Sequence, residues 1–204
     1  MEIKNILKLT CLFLGKENLE NITELDGSET STSAQQKELN FLLRCLNLTY
    51  SEIASDYIPL LKTEKVLTTD GKIVFSNLSK NLCEVKSLKD ENGFKVNYKL
   101  YPDYILADGK NFEITYSYLP EALSSISSTL ENFSKKVSEK ILAYGTAMEY
   151  CFISGLYDDA QIWEKRFKDA ILVRSGKKTE IKLPKRRWIW CSIKNHFLLK
   201  TQKI

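Results

Sequence analysis

Apolar side chains return at alternating steps of four and three along residues 137–152, at Val137, Ile141, Tyr144, Met148 and Phe152. That spacing traces one stripe of an α-helix, with Cys151 beside it. Gly155 supplies a residue that accepts left-handed backbone just past a helix end, and Asp158 or Asp159 can begin a second helix. The second helix repeats the pattern at Ala160, Trp163, Phe167 and Ala170, with Gly176 as its expected stop. The pattern predicts a helical hairpin over 134–154 and 157–172. Near the start of the chain Ile3, Ile6, Thr10 and Phe13 share a helical face, Leu7 and Leu14 flank it, and Gly15 marks the end of a helix over 2–16. A polar loop with a Ser/Thr run suits the N-cap of a further helix over 34–56, which carries Leu39, Leu43, Leu46, Tyr50 and Ile53. Thr49 and Glu52 have the spacing of a capping box, which predicts a break near Asn47.

Between residues 57 and 120 the period changes from 3.6 to 2. "FKVNYKL" alternates Phe94, Val96, Tyr98 and Leu100 with polar residues, and "FEITYSY" does the same with Phe112, Ile114, Tyr116 and Tyr118. Asp70-Gly71, Asn92-Gly93 and Asp108-Gly109 are hairpin signals. Strands are therefore expected near 62–68, 72–76, 83–88, 94–100, 103–107 and 111–119. The fold class that follows is α+β: an antiparallel helical bundle over 1–172 with a small antiparallel β-sandwich or open barrel inserted at 57–120, and an extended tail over 173–204.

Composition adds a core and a charge asymmetry. The 204 residues are 43% hydrophobic and 11% aromatic, enough to bury a core. Five scattered cysteines fit reduced thiols better than a disulfide framework. No stretch approaches the roughly 20 apolar residues of a membrane helix, and "MEIKNILKL" lacks the order of a signal peptide, which implies a protein made in the cytoplasm. From Val173 onward there are ten Lys/Arg and one acid, a charge of +9, so a total of +4 leaves −5 on residues 1–172. A basic tail on an acidic body binds phosphate backbones or acidic protein surfaces, or serves as a solvated extension.

Catalytic devices are missing from the pattern. The only histidine is His196, in the tail, and there is no CxxC pair and no HExxH motif. No catalytic residue, cofactor or metal site is therefore expected. "SGKKT" resembles the end of a phosphate-binding loop but lacks that motif's first glycine and follows a helix. Asp158 and Asp159 are adjacent, about 100° apart on a helix, so they compensate the helix dipole and do not form a carboxylate pair. Gly145 inside a helix costs about 1 kcal/mol relative to alanine. With Ala143 and Ala147 nearby it marks a close approach, either by another helix or by a neighbouring subunit. Gly145, Met148, Trp163 and Phe167 are thus assigned to helix packing or a subunit interface.

"FEITYSYLP" leads, after an intervening segment, to "LAYGTAMEYCFISGLYDDAQIWEKRF". Tyr116, Pro120, Gly145, Glu149, Tyr150, Gly155, Asp159, Ala160 and Trp163 stand there in a strand-then-Pro, Tyr-Gly, Glu-Tyr, Gly-x-x-x-Asp-Ala-x-x-Trp succession. This succession, and the order of two helices, a β insertion and a long helix paired with a shorter one, resemble the head-tail connector (adaptor) proteins of tailed bacteriophages, of the tail tubular protein A and gp4-like kind. The likeness covers most of the chain. "LPKRRWI", at 183–189, is similar to the Arg-Arg-Trp ending of some of these proteins, and residues 189–204 extend past it. The resemblance implies a non-enzymatic virion protein of the phage neck, about twelve copies in a ring that joins the portal protein to a downstream tail protein. DNA would pass through the lumen without sequence-specific binding, and an acidic body suits that passage because like charge does not hold a polyanion. The tail would dock on the portal through Lys182, Lys185, Arg186, Arg187, Trp188 and Trp190. The alternative is a nucleic-acid-binding accessory protein that grips phosphates with the same tail.

Overall fold

The computed structural model describes residues 1–19, 32–127, 129–130, 133 and 136–175. Helix α1 spans Ile3–Phe13 and α2 spans Ser33–Glu52; six strands follow, then α3 (Glu139–Ile153) and α4 (Tyr157–Ser175). The fold is mixed α+β. The expected helices are present with shifted ends, and the tail beyond residue 175 lies outside the described residues.

The helix ends show why the chain stops and starts where it does. α1 buries Ile3, Ile6, Leu7, Thr10 and Cys11, then closes with Gly15 at φ 66° while the Lys16 amide donates to the Cys11 carbonyl at 2.9 Å. α3 ends the same way: Gly155 has φ 77°, and the Leu156 amide donates to the Cys151 carbonyl at 2.8 Å. Only glycine takes this backbone without a Cβ penalty, and the paired bonds satisfy carbonyls that the helix leaves open. α2 begins at Thr32, whose hydroxyl accepts from the Gln35 amide while the Gln35 side chain accepts from the Thr32 amide.

The break expected near Asn47 does not occur. α2 runs unbroken to Glu52 and changes to a π turn over Ile53–Tyr57, closed by the Ile58 amide on the Ile53 carbonyl at 2.8 Å. Thr49 caps nothing: it is buried, and its hydroxyl donates to the Cys45 carbonyl one turn earlier at 3.2 Å. Asn47 instead reaches across the chain to pin Leu123, donating to its carbonyl at 3.1 Å and accepting from its amide at 2.8 Å.

α3 is the central helix, packed on α1, α2 and α4. Its buried set is Ile141, Leu142, Ala143, Gly145, Thr146, Ala147, Tyr150 and Cys151, so burial covers more than one stripe. The stripe expected from Val137 to Phe152 is corrected at its far end, where Phe152 is 61% exposed. α3 also begins at Glu139 and not at 134. On α4 the deeply buried residues are Ala160, Phe167 and Ile171, with Trp163 and Ala170 half-buried. Gly145 is where three helices meet: a Cβ there would fall 2.3 Å from Cγ2 of Thr49 and 3.2 Å from Cδ2 of Phe167.

The strands are β1 (Leu60–Leu67), β2 (Lys72–Val74), β3 (Leu82–Asp90), β4 (Tyr98–Leu100), β5 (Tyr104–Ala107) and β6 (Asn111–Tyr118). They form two antiparallel three-stranded sheets, ordered β1-β6-β3 and β2-β5-β4. Ile73 and Ile105 of one sheet share a core with Leu88, Phe112, Ile114 and Tyr116 of the other. The glycine turns divide into two kinds. Asn92-Gly93 closes a local hairpin, with the Asp90 and Phe94 backbones bonded at 2.9 Å, whereas Asp70-Gly71 and Asp108-Gly109 carry the chain from one sheet to the other. A further hairpin, joining β4 and β5, is closed by the Tyr101 amide on the Tyr104 carbonyl. The 94–100 strand shrinks to Tyr98–Leu100, and its alternating face is buried only in part: Val96 and Tyr98 are half-buried against the sheet core, while Phe94 and Leu100 are exposed. Turn chemistry fixes where a chain reverses, not which strand receives it.

Replacing Gly145 with alanine removes a helix-propensity cost of about 1 kcal/mol yet drives a methyl into Thr49, so overpacking should win. We expect Gly145→Ala to lower the unfolding free energy in urea by about 1–3 kcal/mol. Unchanged or raised stability would show that the three helices do not meet at this point.

Candidate interaction surface

Of the four residues assigned to packing or a subunit contact, Gly145 and Phe167 are buried and Met148 and Trp163 are half-buried. Gly145 lies between Thr49 and Phe167, and Phe167 is fully buried with Tyr57 edge-on at 5.9 Å. Met148 is half-buried against the same core. Trp163 stacks on Phe13 at 5.2 Å with the planes 23° apart, lies 5.8 Å from Tyr144, and has the Arg166 guanidinium 4.9 Å from its ring. It therefore joins α1, α3 and α4. The tail residues Lys182, Lys185, Arg186, Arg187, Trp188 and Trp190 lie outside the described residues, as does His196.

One exposed apolar surface among the described residues is the turn between α3 and α4. Phe152 is 61% exposed and Tyr157 60%, their rings edge-to-face at 5.7 Å; Ile153 is exposed as well, and Leu156 and Ile162 are exposed on the side that lines the cleft toward α1. The local sequence explains this. "FISGLY" puts large apolar residues on consecutive positions around a helix end, and one helical face cannot bury them all. The run was visible in the sequence, but the stripe through Phe152 assigned it to the core. Contiguous apolar surface of this kind marks contact sites in water-exposed proteins.

Charges of both signs stand beside the turn: Lys16 and Arg166 line the same cleft as Asp159, and Lys168 pairs with Glu164. α4 starts at Tyr157, so Asp158 and Asp159 lie inside its first turn, where they favour the helix dipole without capping it. Both are exposed. A groove of about 340 Å³ beside the turn is lined by Met148, Glu149, Phe152, Tyr157, Ala160 and Glu164. Burial raises the Glu149 carboxyl above its ordinary value. It raises Glu52 too, helped by the neighbouring Glu149 and Asp56 carboxylates and opposed by Lys168, which itself pairs with Glu164.

A second cleft, of about 490 Å³, lies between the end of α1 and the α3–α4 turn, lined by Lys16, Tyr150, Asp159, Trp163 and Arg166 among others. Here Lys16 donates to Glu38 at 2.6 Å, Tyr150 donates to the same oxygen at 2.7 Å, and Lys16 sits 4.8 Å over the Tyr150 ring. The Lys16 bond, then the Tyr150 bond, holds the Glu38 carboxyl below its ordinary value. These groups satisfy one another and tie α1 and α2 to the end of α3. Cys151 is buried, and that burial pushes its thiol up, away from the thiolate a nucleophile needs. Among the described residues no group of three or more His, Cys, Asp or Glu is placed to hold a metal ion, and no helix is long and apolar enough to cross a membrane.

The sequence matches no protein-family model, and a search of curated proteins finds no match to it.

Because Glu149 is raised, the folded chain holds that proton to higher pH than the unfolded chain does. The associated stability is present at low pH and is lost as pH rises through the folded value. Glu149→Gln removes the charge, so the variant should be at least as stable as the parent at pH 7, and the gap should close below about pH 4.3, the unfolded carboxyl value. Paired urea titrations between pH 4 and 8 measure this. A gap constant across that range would place Glu149 in ordinary solvent.

Proposed function

We propose that the protein is a structural component of a tailed bacteriophage neck, a head-tail connector that forms a ring between the portal and the tail and lets DNA pass. The observation that carries this reading is the exposed apolar α3–α4 turn, because it coincides with the motif on which the resemblance rests. Gly155 makes that turn, Ala160 seats α4 on the core, and Trp163 locks α4 to α1 and α3. The motif thus preserves the shape of a surface that carries no catalytic group. A ring built from one kind of chain needs a heterologous contact, in which one patch meets a different patch on the next copy, and an apolar projecting turn supplies one half of it.

In this reading the helices form an antiparallel bundle that makes the ring wall, and the two sheets form an inserted sandwich. The basic tail, through residues 182–190, reaches the portal. About twelve copies follow the portal's symmetry, and the neck of the virion is the site of action. No reaction is involved.

The test is direct assembly. Mixed with purified portal rings, the protein should give a ring of added density on the portal by negative-stain electron microscopy. Phe152→Ser together with Tyr157→Ser should remove that density while the circular dichroism spectrum is retained. Binding to duplex DNA that weakens steeply with salt, with no portal capture, would instead favour a nucleic-acid-binding accessory protein.

A further inference from the structure

We propose that the outer face of the β2-β5-β4 sheet is a contact site for single-stranded nucleic acid, with Tyr101 as a stacking platform and Lys72 and Lys99 on the phosphates. Register fixes which side chains stand on that face. Ile73, Ile105 and Ala107 belong to the core shared with the other sheet, so their strand neighbours Lys72, Val74, Tyr104 and Leu106 point away from it. Lys72 and Lys99 both stand opposite Leu106, one on each side, about 10 Å apart across two strand spacings. The Tyr101 amide donates to the Tyr104 carbonyl, which continues the β4–β5 pairing and puts Tyr101 on the same face. The two tyrosine rings stack at 4.6 Å with their planes 13° apart, and the Lys72 ammonium stands 4.2 Å from the centre of the Tyr104 ring. Because β2 and β4 flank β5, Lys72 and Tyr101 approach Tyr104 from opposite sides, and Tyr101, the outermost ring, is exposed.

The outer faces of the two sheets differ in chemistry. On the β1-β6-β3 sheet the outward side chains answer one another: the Thr63 and Thr115 hydroxyls are bonded at 3.0 Å, and Lys89 lies 4.0 Å from Glu113. The β2-β5-β4 sheet has no acid at an outward strand position, and among the described residues no carboxylate forms an ion pair with Lys72 or Lys99. The nearest acids in sequence, Asp70, Asp103 and Asp108, lie in the turns at the strand ends, and the Asp70 carboxylate accepts from the Lys72 amide. A chain laid across the strands, along the Lys72–Leu106–Lys99 row, meets the lysines and passes between those turns.

Charge and rings together select the occupant. Two ammonium groups attract a polyanion, and their flexible stems follow successive phosphates. The ring contact holds Lys72 at the face without cancelling its charge. An exposed tyrosine face accepts any unpaired base, so binding is tolerant of sequence. A duplex keeps its bases stacked on one another and offers the sheet phosphates alone, and an acidic peptide likewise leaves the tyrosine unused. The site stands on this sheet and not on the connector reading.

The experiment uses the full chain and a short, fluorescently labelled thymidine oligonucleotide, with affinity read by anisotropy. Tyr101→Ser, at an exposed position, should weaken binding about fivefold or more while urea unfolding stays unchanged. Lys72→Gln with Lys99→Gln should weaken it too, and should lower the slope of log affinity against log salt by about 1.4, the share of two phosphates on a single strand. Lys65→Gln with Lys89→Gln, outward on the other sheet, should leave the affinity as it was. The same oligonucleotide carrying 5-iodouracil should photo-cross-link to Tyr101 or Tyr104. Because residues 176–204 are also basic, cross-links confined to them, or affinity unchanged by the Tyr101 and Lys72/Lys99 substitutions, would overturn the proposal. So would an equal loss from the Lys65/Lys89 pair, a duplex bound as tightly as the single strand, or polyglutamate that displaces the oligonucleotide as readily as unlabelled thymidine strand does. Failure of portal capture with the Tyr101 cross-link intact would count against the connector reading alone.

Discussion

The structure depends on how closely α2 and α4 can approach α3. At Gly145 the gap to Thr49 is too small for a methyl group, and the gap to Phe167 would be tight. Ala143, Gly145, Thr146 and Ala147 give α3 a narrow profile, and bulk comes from its neighbours. Three buried threonines share a device that makes such packing affordable. Thr10, Thr49 and Thr146 each return their hydroxyl hydrogen to the carbonyl four residues earlier, so α1, α2 and α3 each bury a small polar residue without demanding a partner on another helix. Among the described residues no buried side-chain nitrogen or oxygen is left without a hydrogen bond. A buried hydroxyl left unpaired would cost about 1–3 kcal/mol.

The same approach positions the surface. With α4 held on α3 at Phe167, the Phe13–Trp163–Tyr144 stack fixes α4 to α1 nearer the turn. Lys16, Glu38 and Tyr150 bind the ends of α1 and α2 to the same region. The α3–α4 turn therefore stands on three anchored helices. Its apolar side chains are preorganised, and a partner loses little by ordering them.

The helices and their inner faces were legible because burial there follows a period. Leu39, Leu43, Leu46, Tyr50 and Ile53, read from spacing, are all buried. α3 was read less well for a reason in its composition. A helix that presents small residues to neighbours on three sides has no single stripe, and the largest side chains near its end, Phe152 and Ile153, are the ones it cannot bury. Gly145 was legible as a close approach from its helix cost alone, but its partners Thr49 and Phe167 are distant in sequence and carry no local mark. In the β region Phe112, Ile114 and Tyr116 follow the alternation, since β6 is the central strand of its sheet. Phe94 and Leu100 break it because β4 is a short edge, and which turns join strands of one sheet was settled by packing between sheets, not by Asp-Gly or Asn-Gly.

The charges around the turn limit what can cover it. If two copies met symmetrically through this patch, each would bring Asp158 and Asp159 against the same patch on the other, with Lys16 and Arg166 beside Asp159 as partial compensation. Like charges brought together at an interface cost several kcal/mol, so a two-fold dimer through the turn is disfavoured however apolar its centre. The apolar side chains still favour leaving water. Together these two terms favour a contact between unlike surfaces over a symmetric one. The acids at the start of α4 thus do two things at once: they favour the helix dipole where they stand, and they oppose a symmetric contact through exposed Phe152 and Tyr157.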